Sequence, residues 1–144
     1  MDTVDEATRS MIMSRVGQRD TGPEMKLRRA LHALGFRYRV NVKKLPGSPD
    51  LVFPKYKAVI FVHGCFWHRH EGCKYATTPK TRVEFWKTKF NANVERDRKN
   101  IEKLEKLGWR TMVVWECELK KKKDSDALEK TISSVKEWLE SGPL

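Results

Sequence analysis

The feature that most constrains the fold is a polar segment, residues 63–73, which reads HGCFWHRHEGC. It holds three of the chain's four histidines and two of its three cysteines, without helix or strand periodicity. Such a loop has little hydrophobic packing of its own, and a structural Zn²⁺ with four nitrogen and sulfur ligands stabilises loops of this kind. The spacing of Cys65, His70 and Cys73 suits zinc, and Cys117 can complete the site from across a sheet.

Two alternatives stay open for these side chains. The cysteines are free thiols in the first, with Cys117 buried as a small apolar residue. In the second, His63 or His68 joins the zinc ligands or makes only local hydrogen bonds. Left outside the metal set, His63 and His68 are candidates for catalysis, because a neutral imidazole near a bound phosphate takes a proton from water.

Two short apolar runs predict a β-hairpin. Residues 51–53 and 58–62 lie on either side of the strand breaker Pro54. Pairing Phe53 with Ala58 across the turn fixes the register, since each step back on one strand is a step forward on the other.

This register brings a carboxylate to one end of the sheet. Asp50 then lies beside Phe61, where Val62 and His63 also arrive. A carboxylate and a backbone carbonyl are ligands that Mg²⁺ prefers, and such an ion stabilises the oxyanion that leaves a scissile phosphate. Asp50 and Val62 are therefore a candidate magnesium site; the alternative is that Asp50 only ends a loop.

The remaining hydrophobic pattern predicts helices around this hairpin. The elements, in order, are a helix that begins at Thr21, a strand at 36–42, the hairpin, a helix over 82–107, a strand at 111–115 and a helix capped by Asp124 or Ser125. Leu34 and Val94 are among the positions predicted to face the core. This order predicts an α/β fold with a mixed central β-sheet flanked by helices.

Length and charge narrow the class of protein. The chain has 144 residues, which fits a single domain, and its 30 Lys+Arg against 19 Asp+Glu give a net charge of +11. A charge of this sign favours a polyanionic partner such as nucleic acid. The chain has no apolar run of the ~20 residues that a membrane span needs, and a polar N-terminus. We expect a soluble intracellular protein with no membrane partner.

Two further segments, one at the N-terminus and one before the last helix, are candidates for contact with a partner. Residues 1–20 show little helix periodicity and are interpreted as an arm that orders on a partner, ahead of a domain at residues 21–144. The lysine run at residues 120–123 is either a DNA-facing patch or a solvated turn.

Aromatic side chains stand out in the polar loop. Phe66 and Trp67 lie inside it, and Trp86 lies where the long helix begins. Large apolar side chains on a rigid loop wedge between base pairs, and the unstacking cost of a few kcal/mol is lower at a mismatch. The alternative is ordinary core packing.

Several ordered motifs resemble the very short patch repair (Vsr) endonucleases. They are TRSMIMSRVGQRDTGPE (8–24), PGSPD (46–50), FVHGCFWHRHEGC (61–73), EFW (84–86), NVERDRKN (93–100) and LGWRTMVVWEC (107–117). The resemblance implies a fold similar to type II restriction endonucleases. It also implies Mg²⁺-dependent hydrolysis of one phosphodiester bond 5′ to the thymine of a T:G mismatch, which arises when 5-methylcytosine deaminates.

The resemblance also assigns roles residue by residue. Asp50 is the metal-binding carboxylate, His68 the base that activates water, His63 a support for the same centre, and Glu24 an assisting group. Glu24 has an alternative role in a helix capping box with Thr21. The other implied roles are structural zinc ligation by Cys65, His70, Cys73 and Cys117, insertion beside the mismatch by Phe66, Trp67 and Trp86, and contact with the opposite groove by Met13.

Two departures from the family pattern matter. Val62 stands where members often have Thr, which leaves a backbone-carbonyl ligand intact. The loop differs by one residue at 71–72, and His70 is preferred over His68 as the zinc ligand because His68 then remains on the hairpin side.

The expected partner is double-stranded DNA with a T:G mismatch, bound by a monomer. A MutL-type repair factor and a cytosine methyltransferase are expected in the same pathway. Two other functions compete: a zinc-containing module that binds mismatched DNA without chemistry, and a restriction enzyme that cuts both strands of paired DNA.

Overall fold

A computed structural model describes residues 22–73, 76–77, 79–119 and 126–142. The part of the chain so described contains three helices and four strands. The helices are α1 (Gly22–Ala33), α2 (Val83–Lys106) and α3 (Ala127–Glu140); the strands are β1 (Arg39–Val40), β2 (Leu51–Phe53), β3 (Ala58–His63) and β4 (Arg110–Trp115).

The strands form one mixed sheet in the order β1-β2-β3-β4. The first two pairings are antiparallel, and β3 pairs with β4 in parallel. A parallel pair needs a crossover, which the loop after β3 and helix α2 supply. Phe53 pairs with Ala58, so the predicted hairpin register is confirmed. The turn is a 3₁₀ helix, Pro54–Tyr56, that closes at Lys57 with φ of 50°.

Alternate side chains of β3 pack on opposite faces of the sheet. Ile60 belongs to the core that α1 and α3 cover, whereas Val59 belongs to the core under Leu104 of α2. Full burial of one such side chain stabilises the fold by about 1.5–3 kcal/mol. These two layers confirm the predicted α/β fold, with helices on both faces of a mixed sheet. Within the described ranges, no helix has both the length and the apolar run that crossing a bilayer requires.

The strand predicted at residues 36–42 is longer than the strand in the structure. Only Arg39–Val40 pairs, because Phe36 turns into the core, where its ring meets Phe53 at 6.4 Å. Asn41 then adopts φ of 48°, which ends the extended conformation. Leu34 and Val94, predicted to face the core, are 49% and 44% exposed.

The last helix begins later than predicted. Its N-cap is Asp126, which makes no side-chain capping bond, whereas Asp124 and Ser125 lie outside the described residues. Thr21, the arm at residues 1–20 with Met13, and the lysine run at residues 120–123 also lie outside them.

Candidate active site and metal centre

Asp50 lies at the end of the hairpin that the sequence predicted. It directly precedes β2, and its Oδ2 accepts a hydrogen bond from the Val62 backbone N–H at 2.6 Å. This bond holds the carboxylate beside the last residues of β3. The residue before β2 and the end of β3 therefore meet because a tight antiparallel hairpin folds them together.

A second carboxylate approaches Asp50 from helix α1. Glu24 is 2% exposed, and Arg28 Nη2 donates to its Oε2 at 2.7 Å. Burial, and then a hydrogen bond with the Glu24 side chain, raise the pKa of Asp50 to about 8. Glu24 thus faces the carboxylate of Asp50, which gives it a place in the site. Its predicted capping partner, Thr21, lies outside the described residues.

Two imidazoles, one from the end of β3 and one from the loop after it, lie flat against each other. The rings of His63 and His68 have centroids 3.9 Å apart and planes 8° apart. Burial, together with the charge of His68, lowers the pKa of His63 to about 3, so His63 is neutral at physiological pH. His68 Nδ1 lies 2.5 Å from Asp97 Oδ2, so the Asp97 carboxylate fixes that end of the ring. We call His63, His68 and Asp97 the imidazole cluster.

Asp97 is the site residue that sequence reasoning missed. It lies on α2, far along the chain from the loop that carries His68. A signal was present: Asp97 follows Phe90 by two turns and precedes Ile101 by one turn, so it shares their inward side of the helix. A carboxylate on the core-facing side of a helix needs a partner, and here the partner is an imidazole.

A cleft of about 660 Å³ lies between α2 and the segment that precedes β2. Asp50, Val62 and the imidazole cluster are among its lining residues. Basic and amide side chains provide much of the rest: Asn41, Lys43, Lys89, Asn93, Arg96 and Asn100. Carboxylates and basic side chains in one cleft can bind a phosphate of the DNA backbone. The phosphate would contact the basic side chains directly and the carboxylates through a divalent ion.

The other histidine of the loop belongs to a separate group. Cys65, His70, Cys73 and Cys117 offer ligand atoms that all lie within 4.8 Å of one another, and we call this group the metal centre. The Sγ atoms of Cys65 and Cys117 lie 3.7 and 3.4 Å from His70 Nδ1. Burial and the neighbouring thiols raise the pKa of Cys117 to about 12, and a bound cation relieves such crowding of thiolates. Three sulfurs and one imidazole are a donor set that can hold a metal such as zinc.

The aromatic residues of the loop pack on one another. Trp67 has ring centroids 5.1 Å from Phe66 and 5.8 Å from Trp86, and Phe90 of α2 closes the group. Arg69 lies against the Phe90 ring at 4.0 Å. The structure thus brings together the three residues predicted to insert into DNA, each half-buried, with Trp67 on the cleft.

Comparison with known proteins gives consistent similarities. The DNA mismatch endonuclease Vsr family matches residues 1–74. The chain is 45% identical over 139 residues to DNA mismatch endonuclease Vsr of Escherichia coli (strain K12), covering 96% of this chain and 87% of that protein. It is 42% identical to the type II nicking enzyme V.XorIIP of Xanthomonas oryzae pv. oryzae, covering 93% and 96% of the two chains. It is 46% identical to the type II nicking enzyme V.NmeAIP of Neisseria meningitidis, covering 84% and 86%.

Proposed function

The chain belongs to the DNA mismatch endonuclease Vsr family, and from this premise we propose a substrate, a cofactor and residue roles for its site. It is an enzyme that nicks DNA. The substrate that we propose is duplex DNA with a T:G mismatch left by deamination of 5-methylcytosine. The product is a single nick 5′ to the mismatched thymine, which starts very short patch repair.

One observation carries the proposal: Asp50 and the imidazole cluster line one cleft, with basic side chains in its wall. Asp50 and His68 reach this place from different elements and both line the cleft. A module that only binds DNA has no requirement for such a convergence. Restriction of the cut to one strand accords with the relatives, which are named nicking enzymes.

The proposed cofactor is Mg²⁺, held by the Asp50 carboxylate and the Val62 carbonyl. The residues fit this ion, since both offer hard oxygen donors. In a strand, the N–H and C=O of one residue point to the same side. The Val62 N–H already points at Asp50, so its carbonyl faces that side too. When bound, Mg²⁺ neutralises charge that develops on the phosphate and on the oxygen that leaves.

Proton transfer falls to the imidazole cluster. A water oxygen attacks phosphorus, one P–O bond breaks, and His68 takes the proton of the attacking water. Asp97 orients the His68 ring and stabilises its protonated form. His63 stays neutral and supports the ring from one face. Glu24 assists by holding Asp50 in place through their hydrogen bond.

The proposed occupant of the metal centre is Zn²⁺ in a structural role. Cys65, His70 and Cys73 belong to the loop that follows β3, and Cys117 to the turn that follows β4. A zinc ion bound by all four ties this loop to the sheet. His68 lies in the tied loop, so zinc also limits where the base can move.

Recognition of the mismatch is assigned to Phe66, Trp67 and Trp86, which wedge beside it. The arm at residues 1–20 grips the DNA, with Met13 in the opposite groove, and residues 21–144 form the catalytic domain. We propose a monomer in the bacterial cytoplasm, at the nucleoid. It works in one pathway with a MutL-type factor and a cytosine methyltransferase.

A nicking assay tests the proposal. Labelled duplexes carry a T:G mismatch or the paired C:G control in varied flanking contexts, with Mg²⁺ present or omitted. EDTA is avoided because it also competes for a thiolate-bound zinc. We expect one nick 5′ to the mismatched T, only with Mg²⁺, and none from Asp50→Ala that has retained its zinc. Binding without a nick in every context, or cuts in both strands of C:G duplexes, would overturn the proposal.

A further inference from the structure

Trp115 lies between the metal centre and the imidazole cluster. It is the last residue of β4 and pairs in parallel register with His63, the last residue of β3. Its ring stacks on His70, with centroids 4.3 Å apart and planes 9° apart. Its ring also meets His63 at 5.4 Å and 73°, an edge contact. One indole therefore contacts a histidine of each group.

The contacts continue from His63 to the proposed base. His63 stacks on His68 at 3.9 Å, and His68 is in turn held by the Asp97 carboxylate. Stacked and edge-to-face contacts between aromatic rings are stabilising beyond the apolar area that they bury. An unbroken series of rings thus runs from a ligand of the metal centre to the residue proposed to activate water.

His68 depends on this series because of where it lies in the chain. It belongs to the loop after β3 and not to a strand or a helix. Asp97 fixes the position of one ring nitrogen, but a single hydrogen bond leaves rotation of the ring plane about that contact. The flat face of His63 limits that rotation. His63 itself is held between Phe61, at 5.6 Å, and Trp115.

We propose that Trp115 is a positioning residue for the nicking reaction, which sets the planes of His63 and His68 against the metal centre. The proposal rests on the role of His68 given above. Catalytic groups must be held within about 0.5 Å and 10–20° of their productive geometry. A misplacement of about 1 Å costs on the order of 100-fold in rate. The stack on His70 makes the metal centre the fixed end of this support.

Trp115→Leu tests the proposal, with Trp109→Leu as the matched control. Trp109 directly precedes β4, packs in the core on the α2 side and lies under the Lys57 ammonium at 4.3 Å. We expect Trp115→Leu to lower the single-turnover nicking rate about 10- to 100-fold. Its zinc content and its Kd for the T:G duplex should stay at the wild-type values. Trp109→Leu should nick at the wild-type rate, and Trp115→Phe, which restores a ring, should recover most of the loss.

A spectroscopic measurement separates positioning from general destabilisation. Long-range ¹H–¹⁵N NMR of the imidazole rings reports the Nδ1 environment of His68 and the ring-current shifts of His63. We expect both sets of signals to move slightly in Trp115→Phe, since benzene is shorter than indole, in step with the small loss of rate that remains in this variant. They should stay unchanged in Trp109→Phe. This comparison tests whether Trp115 positions the two histidine rings even where Trp115→Leu does not fold.

Three outcomes would overturn the inference. They are a wild-type rate in Trp115→Leu, an equal loss in Trp109→Leu, and a loss of zinc from Trp115→Leu, which would make Trp115 a support of the metal centre alone. His68→Ala is run beside them. If His68→Ala still nicks, the proposed function of the site fails; if it is inactive while Trp115→Leu is normal, only the role of Trp115 fails.

Discussion

The metal centre and the imidazole cluster draw on the same short loop, yet they differ in what surrounds their side chains. In the metal centre, three sulfurs and one ring nitrogen converge on a common point. The imidazole cluster lies on the cleft wall, and its rings are stacked flat at 8°. The ligand atoms of His63, His68 and Asp97 also lie within 4.8 Å of one another. The in-plane lone pairs of two stacked rings lie in separate parallel planes, however, so a single ion fits both rings poorly. The first geometry suits a metal with a closed ligand set, and the second suits proton transfer.

Alternation along the loop explains how neighbours serve two purposes. His63 and His68 face the cleft, whereas Cys65 and His70 face the metal centre. A closed site contributes stability and no open position for substrate, while an open cluster contributes reactivity. The comparison therefore teaches that damage to the two groups should have different consequences: loss of fold in one and loss of rate in the other.

The largest effect is expected from Cys117→Ser. In the proposed structural zinc site, loss of one of four ligands removes metal-binding free energy that is also folding free energy, several kcal/mol in such sites. We expect zinc content well below one ion per chain and a collapse of the thermal transition, measured by metal analysis and calorimetry. His32→Ser is the control, because His32 is exposed on α1. A Cys117→Ser protein with full zinc and an unchanged Tm would show that the metal centre does not stabilise the fold, and would contradict the difference drawn between the two groups.

His68→Ala should show the opposite pattern. His68 is the proposed general base, and removal of such a group costs about 10²- to 10⁴-fold in rate. We expect a nicking rate lower by that factor in a single-turnover assay, while zinc content and Tm stay close to wild type. His32→Ala should nick normally. Loss of zinc from His68→Ala would show that the two groups exchange ligands and would contradict the separation drawn here.

Asp97→Asn is expected to have a smaller effect on rate. Asn keeps a polar contact with His68 but lacks the charge that stabilises a protonated ring. A charge-assisted hydrogen bond exceeds a neutral one by about 1–2 kcal/mol, so we expect a loss of roughly 5- to 30-fold. The matched control is Asp126→Asn, an exposed carboxylate at the start of α3. Equal nicking rates for wild type and Asp97→Asn would show that the Asp97 charge does not contribute to the reaction.

Local patterns made part of this site predictable from sequence. Pairing of Phe53 with Ala58 across a short turn placed Asp50 beside Phe61, at the end of the sheet where Val62 also arrives. In the structure the Asp50 carboxylate accepts a hydrogen bond from the Val62 backbone N–H. Ligand spacing in the loop indicated His70 for the metal centre, where the structure groups it. The roles of these residues remain proposals.

Contacts between distant segments were not predictable in the same way. Asp97 reaches His68 across 29 positions of the chain, and helix periodicity alone does not say which loop an inward carboxylate meets. The shortness of β1 also results from a contact between segments that are distant in the chain. The alternation at residues 36–42 predicted a strand, but burial of Phe36 against Phe53 outweighed pairing along its length.

The smallest expected effect concerns the stability of Asp50→Asn without Mg²⁺. Burial and the Glu24 hydrogen bond raise the pKa of Asp50 from 3.8 to about 8. The folded state therefore keeps a proton that the unfolded state has lost, and the ionised carboxylate opposes folding as pH rises from about 4 to about 8. Asn resembles the protonated form and does not titrate.

We expect Asp50→Asn to be more stable than wild type near pH 7. Each kcal/mol of unfavourable free energy that is removed with the Asp50 carboxyl should raise the Tm by about 3 °C. The gap should widen from pH 5 to pH 8, as followed by calorimetry in Mg²⁺-free buffer without chelator. Asp126→Asn, which changes an exposed carboxylate, should show no such trend. An Asp50→Asn protein that is less stable than wild type at every pH would mean that Asp50 supports the hairpin, because a carboxylate reserved for a cation should destabilise the fold that lacks one.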